Sequence, residues 1–128
     1  MINFFINSSL AWFILFSTLP FNAVASEETK LKSQRYYDDG LLLSRAEHWK
    51  QASDEFRMAI QFDPLNKLAY ANLGVALSQL EKHKEALLAF DKAIMLGYDH
   101  SLFRYNRGLS FAKLNLIKEA VQELKLSL

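Results

Sequence analysis

The sequence predicts an all-α protein built from repeated pairs of antiparallel helices, and two observations lead to this prediction. Apolar residues recur at helical spacing along 33–127, and the same residue types return at one fixed interval. That interval separates Gly40 from Gly74 and Gly74 from Gly108. A glycine within a helix costs about 1 kcal/mol relative to alanine, so three in one register need a common reason. We expect that reason to be the close approach of two helix backbones.

Five further sets of residues keep the interval of the glycines. They are Ala52, Ala86 and Ala120; Phe56, Phe90 and Leu124; Leu43, Leu77 and Phe111; Tyr36, Tyr70 and Arg104; and Ala59, Ala93 and Ser127. The alanines are expected on the helix that faces the glycines, and the phenylalanines between one helix pair and the next. Because all these sets agree on one period, the chain is expected to contain three copies of one structural unit.

Each copy contains two helical stretches separated by polar or turn residues. Pro64 ends the second stretch of the first copy, because proline cannot continue the hydrogen-bond ladder of a helix. Gly97 is expected to end the second copy in the left-handed conformation. The predicted helices are 33–46, 48–62, 67–80, 83–96, 101–114 and 117–127, and 26–32 is expected to form a linker.

The segment 1–25 differs in composition from the repeats. Positions 1–21 contain no Lys, Arg, Asp or Glu, positions 10–19 form an apolar run, and Ala23-Val24-Ala25 supplies a small-x-small cleavage pattern. We therefore predict a signal peptide over 1–25, cleaved after Ala25, and a secreted or periplasmic protein. The alternative is an uncleaved membrane anchor, because 4–24 approaches the about 20 apolar residues that a spanning helix needs.

Composition excludes several classes of function. The chain of 128 residues has no cysteine, which excludes disulfides, thiolate metal sites and a cysteine nucleophile. Its formal net charge of +1, with no basic run, gives no reason to expect a nucleic-acid partner. The histidines, His48, His83 and His100, are expected to be solvated turn residues. Since no nucleophile–base set or phosphate-binding loop can be assembled, we predict no enzyme activity, no catalytic residue, no metal and no cofactor.

The order of residues within each copy resembles the tetratricopeptide repeat (TPR), a motif of about 34 residues. The second copy has, in the order of that motif, Tyr70, Leu73-Gly74, Leu77, Ala86, Phe90 and Ala93. The first copy departs at Asp39, and the third departs at Arg104 and Arg107, which stand where the motif is usually apolar. These arginines are expected either to extend to solvent or to meet an acidic group of a partner. The resemblance covers 33–128 and divides it into repeats 33–66, 67–100 and 101–128.

The resemblance implies a right-handed superhelical array, an α-solenoid of about three units, whose first helices line a groove for a peptide or a partner's helix. Carried over residue by residue, the groove contains Tyr37, Leu41, Arg45, Ala71, Asn72, Val75, Gln79, Tyr105, Asn106, Leu109 and Lys113. The alternative is that these side chains only pack between helices, with Asn72 and Asn106 stabilising turns. We expect a protein or peptide partner, and contact with a membrane only if the N-terminal segment stays uncleaved.

The implied function is a non-catalytic scaffold or adaptor in the cell envelope. One alternative is the docking part or fragment of a larger secretion, assembly or enzyme protein, and another is a cytoplasmic adaptor tethered by its N-terminal helix. The acidic-tail clamp of some cytosolic TPR proteins is not expected, because Tyr37, Leu41 and Leu102 occupy its Lys and Asn positions. No polar cap follows the third repeat, so we expect an open C-terminal face that self-associates, binds a different partner or continues into a longer array, and we favour the first and the last.

Overall fold

The computed structural model describes residues 26–128, and the signal peptide or anchor expected over 1–25 lies outside them. Within the described residues all secondary structure is helical. Helix α1 covers 26–45 and is followed by α2 (Trp49–Phe62), α3 (Lys67–Gln79), α4 (His83–Met95), α5 (Ser101–Lys113) and α6 (Ile117–Leu126). Consecutive helices pack together, and α3 also packs beside α5. No helix in this part of the chain is both long and apolar enough to cross a membrane.

The helix boundaries confirm the predicted array except at its start. Helices α2 to α6 begin and end at, or directly beside, the predicted limits. The segment 26–32, expected to be a linker, instead forms the first turns of α1 and is exposed throughout. Glu28 and Lys32 are one helical turn apart, and the Nζ atom of Lys32 lies 2.6 Å from a carboxylate oxygen of Glu28. This ion pair stabilises the first turns of α1.

The turn inside each helix pair uses a left-handed residue that the sequence did not reveal. Glu47, Glu81 and Asn115 have φ angles of 59°, 59° and 60° and occupy equivalent positions of the three repeats. In each case the amide of the following residue donates to a carbonyl of the preceding helix end at 2.9 Å, which satisfies one of its unpaired carbonyls. Gly97, at the end of α4, has φ 83°, which confirms its predicted left-handed conformation.

The repeated glycines make room for an aromatic ring of the second helix in the same pair. A Cβ atom added at Gly40 would lie 2.6 Å from the Phe56 ring, and one added at Gly74 would lie 2.6 Å from the Phe90 ring. The expected backbone-to-backbone contact is therefore wrong in its detail, since the partner is a ring and not an alanine. Both rings are almost fully buried. The first two pairs thus contain the same contact, in which a phenylalanine ring of the second helix packs directly against a glycine of the first helix.

The core connects one pair to the next through the same rings. The Phe90 ring lies 6.4 Å from the Phe103 ring of α5, measured between centroids, which confirms that it bridges two pairs. Around the rings the core is lined by small side chains that let the helices approach. These are Ala52, Ala59, Ala69, Ala71, Ala76, Ala86, Ala89, Ala93 and Ala120. The array therefore depends on large residues at few positions and small residues at many.

We expect Gly74→Ala to destabilise the protein more than Gly108→Ala. At Gly74 the new methyl group would overlap the buried Phe90 ring, costing about 1–3 kcal/mol despite alanine's higher helix propensity. At Gly108 it would lie 3.0 Å from Leu124, whose side chain can move. Urea unfolding of both variants, followed by circular dichroism, measures the difference. Equal losses of stability in Gly74→Ala and Gly108→Ala would contradict the role given to the contact between Gly74 and the Phe90 ring.

Candidate peptide-binding groove

The first helices of the three pairs form one continuous surface. The Asn72 side-chain amide of α3 donates to the Tyr37 hydroxyl of α1 at 3.2 Å. Ser78 of α3 and Ser110 of α5 are joined by a hydroxyl–hydroxyl hydrogen bond of 2.9 Å. Because α1, α3 and α5 are fixed side by side, residues that share a register on them lie in rows across the array.

The predicted groove residues fall into four such rows. Across α1, α3 and α5 the rows are Tyr37, Ala71 and Tyr105; Asp38, Asn72 and Asn106; Leu41, Val75 and Leu109; and Arg45, Gln79 and Lys113. The last row is formed by the final residues of the three helices and is exposed. Tyr105 is 46% exposed and Leu109 is 41% exposed. The surface is thus apolar along its middle, with amides on one side and basic groups at the helix ends.

Not every predicted groove residue can reach a partner. Ala71 has no exposed surface, so its place in the groove is wrong. Tyr37, Leu41 and Val75 are half-buried and pack partly against the core, so only part of each side chain is open to a partner. The remaining candidates lie at least partly open to solvent.

The two asparagines are held by their own helices and not by turns. The side-chain amide of Asn72 donates to the carbonyl of Leu68, and that of Asn106 donates to the carbonyl of Leu102, both at 3.0 Å. Within residues 26–128 their side-chain carbonyl oxygens accept no hydrogen bond. Both oxygens can therefore accept from a peptide N–H group.

Tyr37 lies in a partly dry part of this surface. Burial raises the pKa of the Tyr37 phenol above its ordinary value, and nearby Tyr98 and Asp38 raise it further, whereas the hydrogen bond from Asn72 opposes them. The Tyr98 ring, in the turn before α5, lies 5.2 Å from the Phe103 ring, measured between centroids. Tyr98 had no predicted role, and its effect on Tyr37 was not foreseen from the sequence.

Arg104 and Arg107 meet acidic groups of this chain, which corrects both expectations for them. Arg107 lies 2.7 Å from Glu123 and its Nε donates to Asp91 at 3.0 Å. Arg104 lies 3.2 Å from Glu123 and donates to Asp99 at 2.7 Å. The Glu123 side chain is only 7% exposed. Hydrogen bonding to Arg104 also holds the pKa of Asp99 below its ordinary value.

This ion cluster replaces an apolar contact of the second repeat. The residues one repeat before the two arginines and the glutamate are Tyr70, Leu73 and Ala89. In the second repeat these three residues contribute the apolar part of a pocket of about 230 Å³, which the paired side chains of Arg57 and Glu85 also line. The sequence could have shown the exchange, because the acid appears in the same repeat as the bases and in place of an alanine.

The histidines do not form a metal site, but one of them is not solvated as expected. No group of three or more His, Asp or Glu residues in the described part of the chain could hold a metal ion. The His83 side chain is 11% exposed and its Nε2 lies 2.9 Å from Glu81. His100 accepts a hydrogen bond from the Leu102 amide and caps α5. The prediction of a solvated histidine is therefore wrong for His83.

Solved structures that are similar to this chain include several TPR proteins. The Arabidopsis OM64 TPR domain matches with a TM-score of 0.74 and 20% identity, over 77% of this chain and 82% of that chain. The second TPR of Spaghetti (RPAP3), bound to the HSP90 peptide SRMEEVD, matches with a TM-score of 0.75 and 23% identity, over 80% and 94%. This chain has the fold of a TPR array. That result confirms the all-α fold class predicted from the repeat period.

A third structure extends the comparison to a longer array. YrrB, described as a TPR protein with an unusual peptide-binding site, is 28% identical with a TM-score of 0.71. The match covers 82% of this chain and 54% of YrrB, so this chain spans about half of that protein. No protein-family model matches the sequence, and no curated protein matches it by sequence. The likeness in structure therefore carries the assignment of the fold.

We expect Glu123→Ala to lower the free energy of unfolding by about 1–3 kcal/mol, because it leaves two mostly buried arginines without one of their acids. The triple variant Arg104→Tyr, Arg107→Leu, Glu123→Ala installs the residues of the second repeat and should recover wild-type stability or exceed it. Thermal and urea unfolding compare the three proteins. A triple variant no more stable than Glu123→Ala would show that the cluster cannot be exchanged for an apolar contact.

We expect Tyr37 to ionise at a higher pH than an exposed tyrosine. Because its folded-state pKa is raised above the unfolded value, the stability that this group contributes is lost as pH rises through the folded pKa. The phenolate absorbance of the wild type minus that of Tyr37→Phe isolates this one group. Asn72→Ala removes the opposing hydrogen bond and should shift the titration further upward, and a downward shift would contradict the assignment.

Proposed function

We propose that this protein is a non-catalytic scaffold that binds a peptide or helix of another protein along α1, α3 and α5. The observation that carries the proposal is the row arrangement on these helices. Exposed Tyr105 and Leu109 offer apolar contact beside the unoccupied carbonyl oxygens of Asn72 and Asn106. TPR structures that bind peptides, such as the one holding the HSP90 peptide, support a protein or peptide partner.

The chemistry of the surface favours a ligand with apolar anchors and one acidic position. Leu41, Val75 and Leu109 form the apolar row, and Arg45 and Lys113 lie at the ends of α1 and α5, where a carboxylate of the ligand can approach them. An extended segment would place alternate side chains on the apolar row and its backbone amides near the asparagines. Because three helices give a small surface, we expect a dissociation constant of about 1 μM.

The ligand of this chain is proposed to differ from the HSP90 peptide. Clamps for an acidic tail in TPR proteins need Lys and Asn on the first helices, and this chain has Tyr37, Leu41 and Leu102 at three of those positions. Asn72 is the main residue that fits such a clamp. The two basic groups at the helix ends are exposed and too few to hold several carboxylates at once.

We propose that the scaffold works outside the cytoplasm, in the periplasm or as a secreted protein. The uncharged apolar segment 1–21 and the small residues before Ser26 support this location. N-terminal sequencing of the protein isolated from its own cell tests it. A chain beginning at Ser26 is expected, and a chain that begins at Met1 and fractionates with membranes would replace cleavage by anchoring.

The binding experiment compares a groove variant with a matched variant of the opposite helices. Tagged wild type, a variant with Tyr37→Ala, Val75→Ala and Tyr105→Ala, and a control with Leu88→Ala and Met95→Ala are used to capture partners from native envelope extract. The control removes two exposed apolar side chains of α4, outside the groove. We expect a partner retained by the wild type and the control and lost by the groove variant.

Folding of the groove variant needs its own check, because Tyr37 also packs beside Phe56. Circular dichroism should show unchanged helix content, and a milder variant with only Tyr105→Ala and Leu109→Ala alters exposed side chains alone. Weaker binding by this milder variant should appear as a several-fold rise in the dissociation constant for the captured partner. A partner held equally by all four proteins would move the binding site away from α1, α3 and α5.

A further inference from the structure

The array contains two equivalent junctions between neighbouring second helices, and this chain fills one of them with its own side chains. Where α4, α5 and α6 meet, Arg107 pairs with Asp91 of α4 and with Glu123 of α6. The guanidinium carbon of Arg107 also lies 4.9 Å from the centre of the Phe111 ring. Charged side chains and an aromatic ring therefore occupy this junction.

The equivalent junction of α2, α3 and α4 holds a pocket of about 230 Å³ instead. Ala89 stands there in the register of Glu123, and Leu73 stands in the register of Arg107. Because alanine ends at its Cβ atom, no side chain from this position of α4 fills the space that Glu123 fills in the next junction. The three helices around the pocket lie inside the described array, so its opening depends on neither end of that array.

The floor of this pocket is apolar. Leu73, Leu77 and Ala89 are buried, Tyr70 is half-buried, and Leu88 is 71% exposed at the mouth. A charged group placed on this floor would lose its water without gaining a partner, because no arginine stands there as it does in the next junction. A cavity of about 150 Å³ with apolar walls accommodates a benzene ring. The pocket therefore suits one uncharged ring.

The rim of the pocket offers a hydrogen-bond donor beside an acceptor. Arg57 donates to Glu85 at 3.2 Å, and both side chains are half-exposed. Within residues 26–128 this is the one hydrogen bond that either side chain makes, although a guanidinium has five N–H groups and a carboxylate has two oxygens. The rim can thus bind a C=O and an N–H of one peptide group. Both groups are available in an extended segment, whereas a helix uses them internally.

We propose that this pocket is a second protein-binding site, separate from the groove, which takes one phenylalanine side chain of an extended segment of another protein. The ring covers Leu73 and Leu77, and Leu88 packs against its edge. The peptide C=O of the segment accepts from Arg57, and its N–H donates to Glu85. Since the rim pair has no net charge, this site selects an uncharged segment. The site does not depend on the groove, and neither needs the other to bind.

The first experiment titrates N-acetyl-phenylalanine N-methylamide into the purified protein, as its cell processes it, with labelled leucine methyl groups observed by NMR. Saturable shifts of the methyl signals of Leu73, Leu77 and Leu88 are expected, with a dissociation constant of about 1 mM for this small compound. The corresponding alanine and glutamate compounds should produce no saturable shift, because one lacks the ring and the other brings a charge to an apolar floor.

The matched variants exchange alanine for methionine inside and outside the pocket. Ala89→Met places a side chain of glutamate's length where Glu123 lies in the next junction, and it should abolish the shifts. Ala112→Met makes the same exchange at an exposed position of α5 and should leave them unchanged. Arg57→Leu alters an exposed side chain and should weaken binding about three- to tenfold, because one donor to the ligand is lost.

A second experiment tests the class of ligand with peptides of random sequence displayed on phage. The library is depleted on Ala89→Met, which keeps the groove, and is then selected on the wild type. The recovered peptides should share one phenylalanine and no fixed charge beside it. Leu88→Ala with Met95→Ala, the control for the groove, trims the mouth of the pocket, so it should weaken these peptides while it retains a groove partner.

Four results would overturn the proposal. The first is the absence of saturable shifts at Leu73 and Leu77, and the second is their persistence in Ala89→Met with unchanged helix content by circular dichroism. The third is binding of the glutamate compound as tight as that of the phenylalanine compound. The fourth is a set of selected peptides with a fixed charge or with no shared apolar position. A loss of binding in Arg57→Leu alone would still leave the groove intact.

Discussion

The contact on which the array depends is an aromatic ring placed where a glycine lacks a side chain. Phe56 against Gly40 and Phe90 against Gly74 set the distance between the two helices of a pair. With that distance fixed, Phe90 also reaches Phe103 and sets the position of the next pair. The first helices lie side by side because equivalent contacts recur in each repeat.

The third pair keeps the geometry with different chemistry. Leu124 replaces the ring against Gly108, and Glu123 with its two arginines replaces the apolar contact of the second repeat. A buried ion cluster contributes less net stability than an apolar contact of equal volume, because desolvation offsets the attraction. The charged side chains of the cluster must, however, meet in one arrangement, with Glu123 between Arg104 and Arg107. The third pair therefore gains a defined register at the expense of packing.

Much of the fold followed from the sequence because the repeat is strict where packing is tight. The start of α1 did not, since Glu28 and Lys32 stabilise a helix without belonging to the repeat. Glu47 and Glu81 adopt left-handed turns that their residue type does not favour, so tertiary packing decides there.

The candidate site was predicted less completely than the fold, because burial and long-range pairing decide it. Glu123 was missed because its pairing with Arg104 and Arg107 joins two helices, although its place in the register of an alanine was a signal. The groove residues stay a prediction, and burial removes Ala71 from them.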